Sequence, residues 1–197
     1  FHQLTAPGRA GKLKKLLQSP FTMHPTVIDL INREAKHARK GKAARIIVKM
    51  NALSEVKTID ALYEASRAGV KIDLIIRGVC ALRPGIEGVS DNIRVRSIVG
   101  RFLEHTRVFY FLNDDAPEIY LSSADWMGRN FFNRVETAFL IEDKRLQQRV
   151  LKESLNNYLA DNTRAWVLKS DGTYARTKPG SARPRDAQQR LVDSLAG

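Results

Sequence analysis

Residues 44–78, ARIIVKMNALSEVKTIDALYEASRAGVKIDLIIRG, decide the fold class. The run Ala44 to Met50 is rich in Ile and Val and reads as a strand, and Ile72 to Ile76 repeats the pattern. Between them, apolar residues recur at helical spacing from about Glu55 to Ala68, with Ser54 as a natural N-cap and Gly69 as a natural stop. Two apolar strands around one amphipathic helix make a β-α-β unit. Its crossover is expected to be right-handed, and its sheet covered on both faces. The chain is therefore read as an α/β domain.

Upstream, Val27, Ile28, Ile31 and Ala35 share one side of a helix predicted over Pro25 to Lys40, and Gly41 follows as its stop. Downstream, Arg83 to Gly88 reads as loop, and Ile93 to Val99 alternates like a half-exposed strand. Arg107 to Leu112, the polar turn Asn113-Asp114-Asp115 and Glu118 to Leu121 read as a hairpin. A further strand is predicted over Arg134 to Ile141, then a helix over Lys144 to Leu159 with Leu146, Val150, Leu155 and Leu159 facing the core. The opening segment holds Pro7, Gly8, Gly11, Lys12, Lys14 and Lys15 without a sustained period, and reads as linker.

With 197 residues, 43% hydrophobic and 27% charged, the chain suffices for one main buried core. A formal net charge of +12 predicts a surface that attracts phosphates, nucleic acid or an acidic membrane face. The lone Cys80 excludes an internal disulfide, and its apolar setting favours an inert buried thiol. No apolar run reaches the length of a membrane span, and cytoplasmic placement is expected, with the inner membrane as a peripheral contact. The chain opens on Phe1-His2-Gln3 rather than methionine, as a cut or processed piece would.

The chemistry centres on Phe102 to Arg107. On a strand, His105 and Arg107 would share a face, joining a group that moves protons to one that is always cationic, a pairing suited to phosphoryl chemistry. Arg77 follows a predicted strand, Arg134 begins another, and Lys49 and Asn51 stand at a strand end, where open α/β sheets bind ligands. For each of Arg77, Arg107 and Arg134 a surface cation or structural ion pair is the plainer reading, and Lys49 and Asn51 could equally serve a structural role. The tail from Arg164 to Arg185 carries Arg164, Lys169, Arg176, Lys178, Arg183 and Arg185 against few acids. A solvated basic hairpin is the plainer reading than a dedicated anion groove.

The segments 44–51, 69–78, 97–105 and 122–127 resemble the C-terminal part of bacterial polyphosphate kinase, and the resemblance runs from about Gly8 to the end. It implies a phospholipase-D-like fold, a mixed β-sheet flanked by helices, with residues 1–20 as linker or tail of a preceding domain and 21–197 as the C-terminal domain. It also implies reversible transfer of the terminal phosphate of ATP to polyphosphate through a phosphohistidine in that preceding domain. His105 would then be the second histidine, an acid or base that also touches the nucleotide. Arg77 and Arg134 would contact the nucleotide phosphates, with Arg107, Lys49 and Asn51 lining the same pocket. Mg2+ would arrive with ATP or ADP, the protein itself supplying no metal site. The family is also known to self-associate. Arg107 stands where the wider superfamily has the lysine of His-x-Lys, and Ser122-Ser123-Ala124-Asp125 where it has Gly-Ser-x-Asn. Because His2, His24 and His37 lack the phosphohistidine's context and read as surface or capping residues, this chain alone should not autophosphorylate.

The competing reading is a phospholipase-D-type nuclease half or a basic nucleic-acid-binding module. The cations are not interleaved with an aromatic stacking platform, and no specific nucleic-acid partner is expected.

Overall fold

The computed structural model describes Leu13 and residues 15–196. His2 and most of the opening linker, including Pro7, Gly8, Gly11, Lys12 and Lys14, lie outside these residues.

Among the described residues, nine strands form one sheet in the order β1-β7-β6-β5-β2-β3-β4-β8-β9. The strands are β1 (Leu16–Gln18), β2 (Arg45–Met50), β3 (Lys71–Ile76), β4 (Ile93–Ile98), β5 (Val108–Phe111), β6 (Glu118–Ser122), β7 (Thr137–Leu140), β8 (Ala165–Leu168) and β9 (Tyr174–Arg176). The middle is parallel, β2 to β3 to β4, and the flanks are antiparallel. Leu16–Gln18, inside the stretch read as linker, pairs with β7 and closes one edge of the sheet.

The two-residue period of the strands divides the core into two layers. Ile46 and Val48 of β2 and Phe109 and Phe111 of β5 pack on one face under α1 (Met23–Arg39) and α2 (Val56–Arg67). Ile47 and Tyr110 point to the other face, which is covered by Leu155, Tyr158 and Ala187. Trp126 is fully buried in the first layer, 5.1 Å from the Phe109 ring; truncating it to alanine should cost ~3–5 kcal/mol.

The helix caps explain two differences from expectation. The backbone N–H groups of Ser54 and Glu55 both donate to Trp126 O, so the chain enters α2 one residue late. The cap is Glu55, not Ser54: its carboxylate accepts from the N–H groups of Lys57 and Thr58. His24 completes this cap from α1, 3.0 Å from Glu55 and packed edge-on to Phe131 and Phe132, so it is a cap partner rather than a surface residue. At the other end Gly69 takes φ +98°, and Val70 N–H reaches back to Ala65 O as glycine-terminated helices do.

In the hairpin, Asn113, Asp114 and Asp115 all adopt positive φ, which Asn and Asp tolerate best among residues with a Cβ. The buried Glu34 of α1 accepts from the N–H groups of Asn113 and Arg45, and burial raises its pKa.

The helix predicted over 144–159 is α4 (Lys144–Val150), a π-helical turn (Leu151–Asn156) and α5 (Asn157–Leu159). A wider turn shifts the phase, so a 3.6-residue pattern anchored on Leu155 does not carry back to Leu146. Leu146 is accordingly 52% exposed, and Gln147 is buried in its place. Two short pieces remain: α3 (Gly128–Phe132), and α6 (Ala187–Leu195), capped by Asp186.

Candidate functional site

Met50 lies beside Ile76 across the parallel ladder, and Lys49 lies opposite Val108. The residues that follow β2 and β3 and precede β5 therefore meet at one end of the sheet, together with the loop 99–107 after β4. Arg77, the loop residues Arg101 to Glu104 and the end of β4 line an open cavity there of about 320 Å3. This is the strand-end crevice in which open α/β sheets bind ligands.

Two buried carboxylates, one of them Glu104 of the cavity lining, organise this end of the sheet. Asp125 accepts from Arg107 through Nε at 2.9 Å and Nη2 at 3.2 Å, and from Asn51 N–H at 2.8 Å. Burial alone would raise its pKa, but the guanidinium and the backbone donors outweigh that and hold it below the usual carboxylate range. The Asn51 amide, oriented so that both ends are satisfied, donates to Glu104 O at 2.8 Å and accepts from Arg107 Nη2 at 2.6 Å.

Glu104 is the second carboxylate. Its Oε2 accepts from Lys49 Nζ at 2.7 Å, and its Oε1 accepts from Tyr158 Oη at 3.0 Å and Gln188 Nε2 at 2.6 Å. Lys49 Nζ also sits 3.4 Å above the Tyr158 ring centroid, a desolvated cation–π contact. Lys49 is 3% exposed; burial lowers its pKa while Glu104 opposes the shift. Gln188 of α6 further clasps the loop by accepting from Phe102 N–H and donating to Phe102 O.

These contacts divide the six residues singled out in the sequence. The structure brings Lys49, Asn51 and Arg107 together, but each is engaged with protein: Lys49 with Glu104, Arg107 with Asp125, and Asn51 between the two carboxylate-bearing segments. Strand β5 begins only at Val108, so the strand-based expectation that His105 and Arg107 share a face does not hold: Arg107 turns inward to Asp125, and His105 is exposed in the loop. No side-chain hydrogen bond engages the His105 imidazole among the described residues. Arg77 is half-buried, and it lines a small cleft together with Glu104 and Thr106, the two neighbours of His105. Arg134 is exposed in the bend before β7, which starts at Thr137 rather than at Arg134, and lines neither cavity. Phe131 is buried in the core, and the helix Gly128–Phe132 occupies the residues just before this bend.

Four organising residues escaped the sequence reading. Asp125, set between Ala124 and Trp126 in a buried run, carried a signal, since an acid in an apolar stretch needs a partner. Glu104, Tyr158 and Gln188 carried none, because they come from three distant segments. Cys80 is half-buried rather than fully buried; its thiol donates to Leu82 O, and burial raises its pKa.

The nine-stranded mixed sheet with helices on its faces is a phospholipase-D-like fold: the crystal structure of a phospholipase D family member, Nuc, from Salmonella typhimurium superposes with a TM-score of 0.51 at 14% identity, over 70% of this chain and 88% of that one. The crystal structure of polyphosphate kinase from Porphyromonas gingivalis superposes with a TM-score of 0.93 at 35% identity, over 100% of this chain and 30% of that one. Residues 16–188 match the family described as polyphosphate kinase C-terminal domain 2. The chain belongs to the polyphosphate kinase family. It is 58% identical to the polyphosphate kinase of Paraburkholderia phytofirmans over 98% of its length, and 55% identical to that of Pseudomonas aeruginosa over 100%. It spans 28% of the length of each of these relatives.

Proposed function

We propose that the chain forms one side of the active site of an ATP–polyphosphate phosphotransferase, with His105 as proton donor or acceptor and Arg77 as a cation of the adjoining cleft. The observation that carries this reading is the uneven use of charge at the strand ends. Lys49 and Arg107 are each neutralised by a carboxylate, whereas the His105 imidazole is exposed without a hydrogen-bonding partner among the described residues and Arg77 lines the adjoining cleft.

Such an arrangement suits phosphoryl transfer. As the bond to the leaving oxygen breaks, charge spreads over the phosphoryl oxygens, and a guanidinium already in place stabilises it without reorganising. An imidazole at that oxygen delivers the proton in one direction and removes it in the other, as a reversible transfer requires. The phosphohistidine belongs, in this reading, to the preceding domain of the longer protein. Arg134 reaches the nucleotide phosphates only if the substrate extends past the bend before β7. Lys49, Asn51 and Arg107 act by fixing the loop rather than by touching phosphate.

The described residues do not fit a magnesium ion held by the protein. No three of their His, Cys, Asp or Glu side chains converge, and the two buried site carboxylates each face a cation. A magnesium ion that accompanies ATP would be coordinated by phosphate oxygens and water.

Calorimetric titration of ATP into the chain, with Arg77→Ala and His105→Ala alongside, tests the assignment. Arg77→Ala should weaken nucleotide binding. In the full-length enzyme, both changes should lower turnover by about a hundredfold or more. Unchanged nucleotide affinity together with unchanged turnover would remove both residues from the site.

A further inference from the structure

The cations of the basic tail are exposed on and around the β8–β9 hairpin, as the solvated reading expects, but they are not evenly spread. Arg164, Arg176, Arg183, Arg185 and Arg190 line a single open cavity of about 1060 Å3, facing only two carboxylates, Asp186 and Asp193. Asp186 is already committed, since it caps α6 and pairs with Arg164 at 2.9 Å. Arg176 leans on Thr163 O at 3.2 Å. The side chains of Arg183, Arg185 and Arg190 have no hydrogen-bonding partner among the described residues.

The backbone beneath these cations is fixed. Asn162 accepts from Arg185 N–H at 2.7 Å, its own N–H donates to Arg185 O, and its amide reaches Arg183 O at 3.2 Å. The buried Asp161 accepts from the N–H groups of Thr163, Arg164, Ala165 and Ala187, tying the start of β8 to the start of α6. The guanidiniums thus hang from a braced frame. Arg185 and Arg190 also line a second cavity of about 320 Å3 that extends to Lys152 and to Glu153, a carboxylate already paired with Arg149 at 2.7 Å, so the concavity is elongated along α6.

We propose that this trough is a second anion site, which holds the body of a linear inorganic polyphosphate chain away from the phosphoryl-transfer cleft. The proposal rests on the reading above that polyphosphate is a substrate. The shape and the lining support this occupant. A row of separated cations along a groove matches a charge repeated along a chain better than a single phosphate. Neither cavity has an aromatic side chain in its lining, so bases have nothing to stack on, and a chain of bare phosphates fits better than nucleic acid. The opposite face of α6 carries Gln188, which clasps Phe102 and Glu104 beside His105. The trough and the histidine loop are thus separated by one helix diameter, ~10 Å. A chain held by its body there keeps its end near the cleft and raises its effective concentration.

The test is salt-dependent binding of long-chain polyphosphate, single-stranded DNA and ATP to the 197-residue chain and to its R183Q/R185Q/R190Q variant. Only side chains without protein partners change, so the melting midpoint should hold. Loss of three phosphate contacts should weaken long-chain polyphosphate about a hundredfold near 0.1 M salt and reduce the logarithmic salt slope by about 2, by counterion release. ATP affinity should not move, and R183K/R185K/R190K should restore most polyphosphate binding. Polyphosphate affinity that survives the glutamine variant overturns the trough, as does DNA bound as tightly as polyphosphate with the same loss. Failure of the active-site reading gives a different pattern: no ATP response to Arg77→Ala while polyphosphate binding still depends on the three arginines.

Discussion

Replacing Asp125 by alanine is the sharpest test of how this end of the sheet is held together. Asp125 and Arg107 have side chains only 7% and 11% exposed, so the substitution strands a nearly buried guanidinium. It also leaves the Asn51 N–H without its 2.8 Å acceptor. Breaking a buried pair from one side typically costs ~3–5 kcal/mol, because the remaining charge keeps its desolvation penalty without its partner. With a urea dependence of about 2 kcal/mol per molar, the unfolding midpoint should fall by about 1.5–2.5 M. Arg107→Ala should cost a similar amount, since it strands the carboxylate. The double variant should be less destabilised than the sum of the singles by ~1–3 kcal/mol. Urea titrations followed by circular dichroism, with the four proteins as a cycle, give all three quantities. Additive effects, or single shifts below about 0.5 M, would refute the pairing. If Arg107→Ala instead removed ATP binding at an unchanged midpoint, the guanidinium would be a free phosphate ligand.

Other perturbations probe the same scaffold. A Cβ on Gly100 would lie 2.4 Å from Gln188 Oε1, so Gly100→Ala should push the amide off Phe102 and Glu104. Hydrogen exchange should then show α6 opening more often while the β2–β3 ladder stays protected; unchanged α6 exchange would mean that Gln188 is no clasp. Tyr158→Phe removes the hydroxyl that donates to Glu104 at 3.0 Å but keeps the ring under Lys49, and should cost about 1.5–3 kcal/mol in denaturant melts. A cost indistinguishable from zero would show that Gln188 and Lys49 satisfy Glu104 alone. Asp125 and Glu55 both titrate below the usual carboxylate range when folded, so on acidification the unfolded state takes up protons first. Their stabilisation is complete above the ordinary carboxylate pKa, about 4, and is lost as pH falls through the folded values. Glu34 has the opposite sign, because its raised pKa lets the folded state bind the proton first. Thermal melts from pH 6 to 3 should therefore decline more steeply in Glu34→Gln than in the parent chain.

The β-α-β unit was legible because three independent signals agree over 44–78: Ile/Val runs of strand length, a helical period between them, and a glycine at the one position that needs φ +98°. The hairpin was equally legible, since Asn113-Asp114-Asp115 are residues that accept a left-handed turn. Three features were not. The shift of the cap to Glu55 depends on Trp126 O, which arrives from a segment more than 70 residues away. The π-helical turn leaves no local mark, so the phase of 144–159 was read wrongly at Leu146. Above all, sequence spacing ranks Lys49, Arg77, Arg107 and Arg134 alike as cations near strand ends. Only the placement of Glu104 and Asp125 separates the cations that are spent from those that are free.

That separation gives the net charge of +12 a distribution. At the strand ends the protein neutralises its innermost cations, Lys49 and Arg107, and uses them to hold the backbone of 104–107. This leaves the half-buried Arg77 lining the cleft, with His105 exposed on the adjoining loop. A buried free cation would carry a desolvation cost and need a substrate to relieve it, whereas a half-buried one meets phosphate from water. Beyond α6 the arrangement is reversed. There the carboxylates Asp161 and Asp186 brace backbone and helix cap, and Arg183, Arg185 and Arg190 form no ion pair among the described residues. The shared element is α6, which clasps the histidine loop through Gln188 and presents Arg190 to the trough. Movement of this helix would disturb both sites at once, so Gly100→Ala should loosen polyphosphate in the trough as well as the loop that carries His105.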